Sequence, residues 1–343
     1  MARLSPVPRV GVCVIVAAYN AEATIGRAIR SALQQPGVSQ VYVIDDASED
    51  ETIATAAACD DGGGRLVILR QPSNRGPAAA RNLALNLTSA AWVCVLDADD
   101  YFLPGRIARL LADVGDADLV ADELIRTRET SPTTVTHPST PASNPRRIDF
   151  EAFVLGNVSR KGRPRQELGF IKPLMRTAFL RQHGLVYDER LRLGEDYELY
   201  ARALARGARM VLLPPRGYVV VERAGSLSGS HSEEDLRRLR DCDRGLAAQR
   251  PLSAGERRAL RQHAASVDSR LQWRLMINAV KARDVIGALR TFTSWEVGSY
   301  LVARLAEQAW LRSVGRLAAK SRTAQSTSRR PAAAPLNQPS RSE

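Results

Sequence analysis

Three groups of carboxylates occupy positions from which rigid elements would deliver them to one edge of a fold. Asp45 and Asp46 close the apolar run VYVI, Asp97, Asp99 and Asp100 follow WVCVL, and Glu195 and Asp196 open the helical pattern EDYELYARAL. Carboxylates held at strand ends can bind a hard divalent cation that keeps waters and bridges phosphate oxygens. Asp97 and Asp99 are therefore candidate ligands for Mg2+ or Mn2+. A further acidic group of the Glu195, Asp196, Glu198 cluster, brought opposite such an ion, could take a proton from a hydroxyl, and the spacing by itself does not decide this. Any one of these residues could simply cap a turn, and acidic residues in a first helical turn are favoured whatever they do. Two strand-end clusters on one edge carry the reading.

Phosphate-binding groups are legible too. Asn74, Arg75, Gly76 and Pro77, then Arg81 and Asn82, open a predicted helix whose backbone N–H groups and guanidinium groups suit an anion. The first strand is followed by AAYNAEATIG, which lacks GxGxxG, and no GxxxxGK[ST] occurs. Dinucleotide-binding and P-loop chemistry are disfavoured, so the grip on phosphate falls to metal and arginine.

The elements that must position these residues alternate. VGVCVIVAAY, VYVID, RLVILR, WVCVLD and DLVAD read as buried strands. Between them lie helical stripes: Ile25, Ala28, Ile29, Ala32 and Leu33; Ala80, Leu83, Ala84 and Leu87; Ile107, Leu110, Leu111 and Val114. This rhythm predicts an α/β fold with a doubly wound, mostly parallel sheet flanked by helices, and a ligand site beyond the carboxyl ends of the strands. Residues 127–147, rich in Thr, Ser and Pro, read as an irregular loop. A helical pattern returns from about 252 to 320, and 321–343 lack the large apolar side chains needed to fold.

The net charge of +12 is unevenly placed: residues 1–250 hold 33 Lys or Arg against 31 Asp or Glu, and residues 251–343 hold 16 against 6. The basic character belongs to the C-terminal third. Few aromatics and an intact acidic constellation argue against a nucleic-acid protein. Four cysteines without a CxxC pair fit a reducing cytoplasm. MARLSPVPRV lacks an apolar signal core, and no apolar run approaches the 18 or so residues that span a bilayer.

Taken in order, VIVAAYNAEATIGRAIRS, VIDDASEDET, NRGPAAARNLAL, VLDADDYFLPGRI and GEDYELYARAL resemble the motifs of family 2 glycosyltransferases with the GT-A fold, over roughly residues 10–210. The resemblance implies a tail at 1–9, a GT-A domain at 10–225 with a donor half (10–125) and an acceptor half (148–225), a basic helical extension at 226–320 and an unfolded tail at 321–343. It implies a UDP-sugar donor held by the Ala17 backbone, Tyr19, Asp46, Arg81 and Asp97, with Asp99 as the principal metal ligand beside Asp97. Asp196 matches the catalytic base of inverting members, and Glu195 its acceptor-binding neighbour. His231 stands where some relatives place a histidine near the metal.

Two departures bear on the outcome. Ala17-Ala18-Tyr19 lacks the usual proline, and the QxxRW motif of processive synthases is absent, which implies single additions. A narrower likeness to bacterial succinoglycan-type glucosyltransferases implies glucose as the sugar and a lipid-linked saccharide as acceptor. It also implies peripheral contact with anionic lipid at the inner face of the plasma membrane, through a basic segment bearing Trp273, Trp295 and Trp310. The competing reading, a sugar-phosphate nucleotidyltransferase, would need a Gly-rich loop bearing Arg and Lys after the first strand.

Overall fold

The first apolar run becomes the strand on which the site is hung. In the computed structural model, which describes residues 9–128, 144–158, 166–222 and 231–327, Val12, Val14 and Val16 lie fully buried in the core. In chain order the first 128 residues comprise β1 (Arg9–Ala18), α1 (Ile25–Leu33), β2 (Val38–Asp45), α2 (Thr52–Ala57), β3 (Leu66–Arg70), α3 (Pro77–Leu87), β4 (Ala90–Val95), β5 (Tyr101–Phe102), α4 (Arg106–Ala112), β6 (Leu119–Asp122) and β7 (Ile125–Arg128). There follow β8 (Arg146–Ile148), α5 (Phe150–Gly156), β9 (Leu174–Arg176), α6 (Thr177–Gln182), α7 (Glu195–Ala205), β10 (Met210–Leu213) and β11 (Tyr218–Glu222). Four helices close the described chain: α8 (Glu233–Ala248), α9 (Ala254–Lys281), α10 (Val285–Arg290) and α11 (Trp295–Thr327).

The main sheet has the order β3-β2-β1-β4-β9-β6-β10-β8, and β5-β11-β7 form a second, small sheet. Strand order reverses between β1 and β4, which pair in parallel, so the crevice at their carboxyl ends is the expected ligand position. DLVAD does not pair with β4; the antiparallel strand β9 lies between them. Three residues of LMR are too short to read as a strand from sequence, yet they carry the connection that leads to α7.

The α1 stripe is buried as predicted, with Ile25, Ala28, Ile29 and Ala32 fully enclosed. On α3 the stripe is rotated: Leu87 is 49% exposed while Arg81 and Asn82 turn inward. Their partners in the site outweigh the apolar pattern.

A buried ion pair braces one wall of the crevice. Arg106 donates from Nε and a terminal nitrogen to Asp122 Oδ1 at 3.0 and 2.7 Å, both side chains being wholly enclosed. The same guanidinium donates to the Lys172 carbonyl at 2.7 Å. Asp122 Oδ2 accepts the amides of Arg216 and Tyr218. A charge so deeply placed is tolerated only when paired and hydrogen-bonded, and here the pairing ties α4, β6, β11 and the approach to β9 at one point.

Two compact units divide the chain between Leu271 and Gln272. The first contains both sheets. The second has its own small core of Met276, Val297 and Leu301, with Trp273, Ala288 and Tyr300 packed on it. Among the described residues no helix is long and apolar enough to cross a membrane. The segment 321–343, expected to stay unfolded, begins within α11 and lies outside the described residues from 328.

Candidate functional site

Asp97 follows β4 by two residues, and its amide donates to the Tyr218 hydroxyl at 3.1 Å. One carboxylate oxygen meets Arg81 at 3.0 Å and the other meets the Lys172 ammonium at 3.0 Å. Burial alone would raise the Asp97 carboxyl, but Lys172 and Arg81 outweigh it and hold it below its usual value. Asp100 points the other way, accepting the Val221 amide at 3.0 Å. Burial and its neighbours Asp97 and Asp99 push that carboxyl up to about 7. Asp99 is half-buried on the turn, whose backbone is steadied by Arg27, which donates to the Asp99 carbonyl at 3.2 Å and lies over the Tyr101 ring.

Opposite this turn, Gly194 holds φ +77° as the cap of α7 and brings Glu195 and Asp196 into the first turn of the helix. Asp196 is 5% exposed. Its Oδ2 lies 2.6 Å from Lys172, its Oδ1 lies 3.2 Å from Arg81, and Tyr200 donates its hydroxyl to Oδ1 at 3.4 Å. Arg81 also reaches Glu195 at 2.8 Å. Two buried cations thus join carboxylates from two elements: Arg81 touches Asp97, Glu195 and Asp196, and Lys172 bridges Asp97 and Asp196. Burial would lower both cations, yet the surrounding carboxylates, Asp196 foremost, raise both above their usual values.

Gly194 is required for this placement. A Cβ there would meet Leu239 of α8 at 2.5 Å, and the left-handed backbone disfavours a side chain. Gly194→Ala is expected to cost about 1–3 kcal/mol, read as a lower midpoint of thermal unfolding; an unchanged midpoint would contradict this account of the helix start. Behind the same helix, Tyr197 donates to Asp243 at 2.9 Å, Asp243 lies 2.8 Å from His263 Nδ1, and the Tyr197 and His263 rings stack. This enclosed group anchors α7 to α8 and α9.

Ala17 and Tyr19 lie at the carboxyl end of β1, Tyr19 with 44% of its surface open. Asp46 is 3% exposed, and its oxygens accept from Gln71 at 2.9 Å and from the Arg75 and Gly76 amides at 2.8 Å each. These bonds secure the loop before α3. Asp45 beside it is enclosed, with Oδ1 left without a hydrogen-bond partner. Arg75 meets Glu189 at 2.6 Å. His231 immediately precedes Ser232, the capping residue of α8, and acts electrostatically on Asp235.

The structure therefore brings together Arg81, Asp97, Glu195 and Asp196, and adds Lys172, which sequence reasoning passed over. Its signal was a lone lysine in an otherwise apolar GFIKPLM. Among the described residues no group of three or more His, Cys, Asp or Glu is arranged to hold a metal alone. The acidic turn suits Mg2+ or Mn2+, ions that take one or two carboxylates and complete their shell with water and substrate phosphate.

A mostly parallel sheet with an acidic turn after β4 and helices on both faces is a GT-A-type fold. The chain belongs to glycosyl transferase family 2. The sequence model of that family matches residues 13–172. The chain is 49% identical over 265 residues, 77% of each protein, to the succinoglycan biosynthesis protein ExoU of Rhizobium meliloti. Over 98 residues, 28% of this chain and 38% of the other, it is 33% identical to WfaP of Escherichia coli, a UDP-Glc:α-D-GlcNAc-diphosphoundecaprenol β-1,3-glucosyltransferase. Among solved structures, it is similar to a mannosyltransferase from Pyrobaculum calidifontis in complex with GDP-Man and Mn2+, with TM-score 0.54, 17% identity and 89% of each chain covered.

Proposed function

We propose that this protein is an inverting, non-processive glycosyltransferase that moves glucose from UDP-glucose to a hydroxyl of a growing, lipid-linked exopolysaccharide oligosaccharide. The observation that carries the proposal is the placement of Asp196 and Asp97 on either side of one buried lysine, with Arg81 spanning both. The identity to a succinoglycan biosynthesis protein and the WfaP likeness support the donor and the acceptor class.

In this reading Tyr19 and the Ala17 backbone receive the nucleotide at the end of β1, and Asp46 shapes the loop that closes on it. Asp99, with Asp97 beside it, would hold the divalent ion, which when bound neutralises charge on the departing diphosphate. Asp196 takes the proton from the acceptor hydroxyl, Glu195 orients the acceptor, and the oxygen attacks the anomeric carbon from the side opposite the diphosphate. The C–O bond to UDP breaks as the new glycosidic bond forms, and UDP leaves with the electron pair. Arg81 and Lys172 hold these carboxylates together and offset their mutual repulsion.

UDP release from a panel of UDP-sugars, with Mn2+ or Mg2+ and a membrane-lipid extract, tests this. One sugar should turn over only with metal, and Asp99→Ala should lose about 10²–10³-fold in turnover. Metal-independent release, or full activity in the variant, would reject the assignment.

A further inference from the structure

The C-terminal unit exposes an apolar tip that its own core does not use. Between Val280 and Trp295 the large side chains of Val280, Val285, Ile286, Leu289, Phe292 and Trp295 are all at least 43% exposed, Trp295 by 86%. α10 buries none of its residues. Val285, Ile286 and Leu289, at offsets of one and four, share one face of that helix. Trp273, expected from sequence to sit on a docking surface, packs instead on the small core.

The surroundings of the tip are basic. Lys281, Arg283 and Arg290 are exposed. Of the acidic neighbours, Asp284 turns its carboxylate onto the Gly287 amide at 2.8 Å as the cap of α10, and Glu296 lies in the first turn of α11. From residue 272 onward the sequence holds 12 Lys or Arg against 4 Asp or Glu.

We infer that this tip is a docking surface for an anionic lipid bilayer, with the α10 face and Trp295 entering the boundary between headgroups and acyl chains and the three basic residues meeting lipid phosphate. Apolar side chains rimmed by cations on a short surface helix fit a charged interface, and an exposed tryptophan beside them suits the headgroup level. The inference extends the lipid-linked acceptor reading by naming the surface that meets the membrane, and its test is independent of turnover.

The experiment is flotation of the full chain with phosphatidylcholine vesicles, with and without phosphatidylglycerol. The wild type should float only with the anionic vesicles. Ile286→Asp with Leu289→Asp should reduce partitioning at least about tenfold, and Lys281→Gln, Arg283→Gln and Arg290→Gln together about 100-fold, at roughly fivefold per charge. Because these side chains are exposed, both variants should keep the wild-type unfolding midpoint. Equal flotation of the variants, equal binding to neutral vesicles, no flotation at all, or a tip substitution that dissociates an oligomer would each overturn the inference. UDP release with a water-soluble acceptor, measured on the same preparations, separates the two proposals: lost flotation with retained release removes docking alone, and retained flotation without release removes transfer alone.

Discussion

Asp196→Asn is expected to lower kcat by about 10³-fold, within the 10²–10⁴ range for a positioned general base, and also to lower the unfolding midpoint, because it removes one charge of a buried ion pair. The amide keeps the size of the carboxyl and can still accept from Tyr200, which lies 3.4 Å from Oδ1. It cannot take a proton from the acceptor. Since Asp97 and Asp99 remain, the affinity for UDP should be nearly unchanged, so the loss should appear in kcat and not in donor binding. An Asn variant with wild-type turnover would remove Asp196 from the chemistry.

Lys172→Met should produce the largest loss of stability at the site, about 3–5 kcal/mol, the usual cost of removing one member of a buried ion pair. The ammonium lies 2.6 Å from Asp196 and 3.0 Å from Asp97, and methionine would leave the enclosed Asp196 and the half-buried Asp97 with only Arg81 between them. The pH dependence follows from the directions of the shifts. Lys172 is raised above its usual 10.5, so its contribution is complete below that value and fades only as the pH climbs through its higher folded value. Asp97 is lowered below its usual 3.8, so its contribution is present above that value and is lost on acidification. The stability gap between wild type and variant should therefore be widest at neutral pH and narrow both on acidification, as the enclosed carboxyls of the variant take up protons, and above the usual value of lysine. A gap that widens on acidification, or a variant as stable as wild type, would contradict the two-cation arrangement.

The first 125 residues were legible because their signals are local. Apolar runs of five to ten residues ending in Asp read as strands delivering carboxylates, and the α1 stripe from Ile25 to Leu33 is buried as its spacing required. What sequence could not supply was contact between distant segments. Lys172 lies 24 residues from Asp196 and its ammonium touches that carboxylate; no periodicity connects them. The burial of Arg106 with Asp122 was hidden for the same reason, since an arginine at a helix start reads as solvated until its partner strand is placed. Leu87 went the other way: the pattern put it inside, and the inward demands of Arg81 and Asn82 turned it out. Asp46 was read toward a nucleotide, and the structure shows its oxygens accepting the Arg75 and Gly76 amides.

The most direct test of the central claim is the anomeric configuration of the product made from UDP-glucose and a lipid extract in the presence of Mn2+, determined by NMR after release of the saccharide. UDP-glucose is α-linked, so displacement by a hydroxyl that Asp196 has deprotonated predicts a β-linked glucose and one UDP released per linkage. An α-linked product would contradict direct displacement at this site.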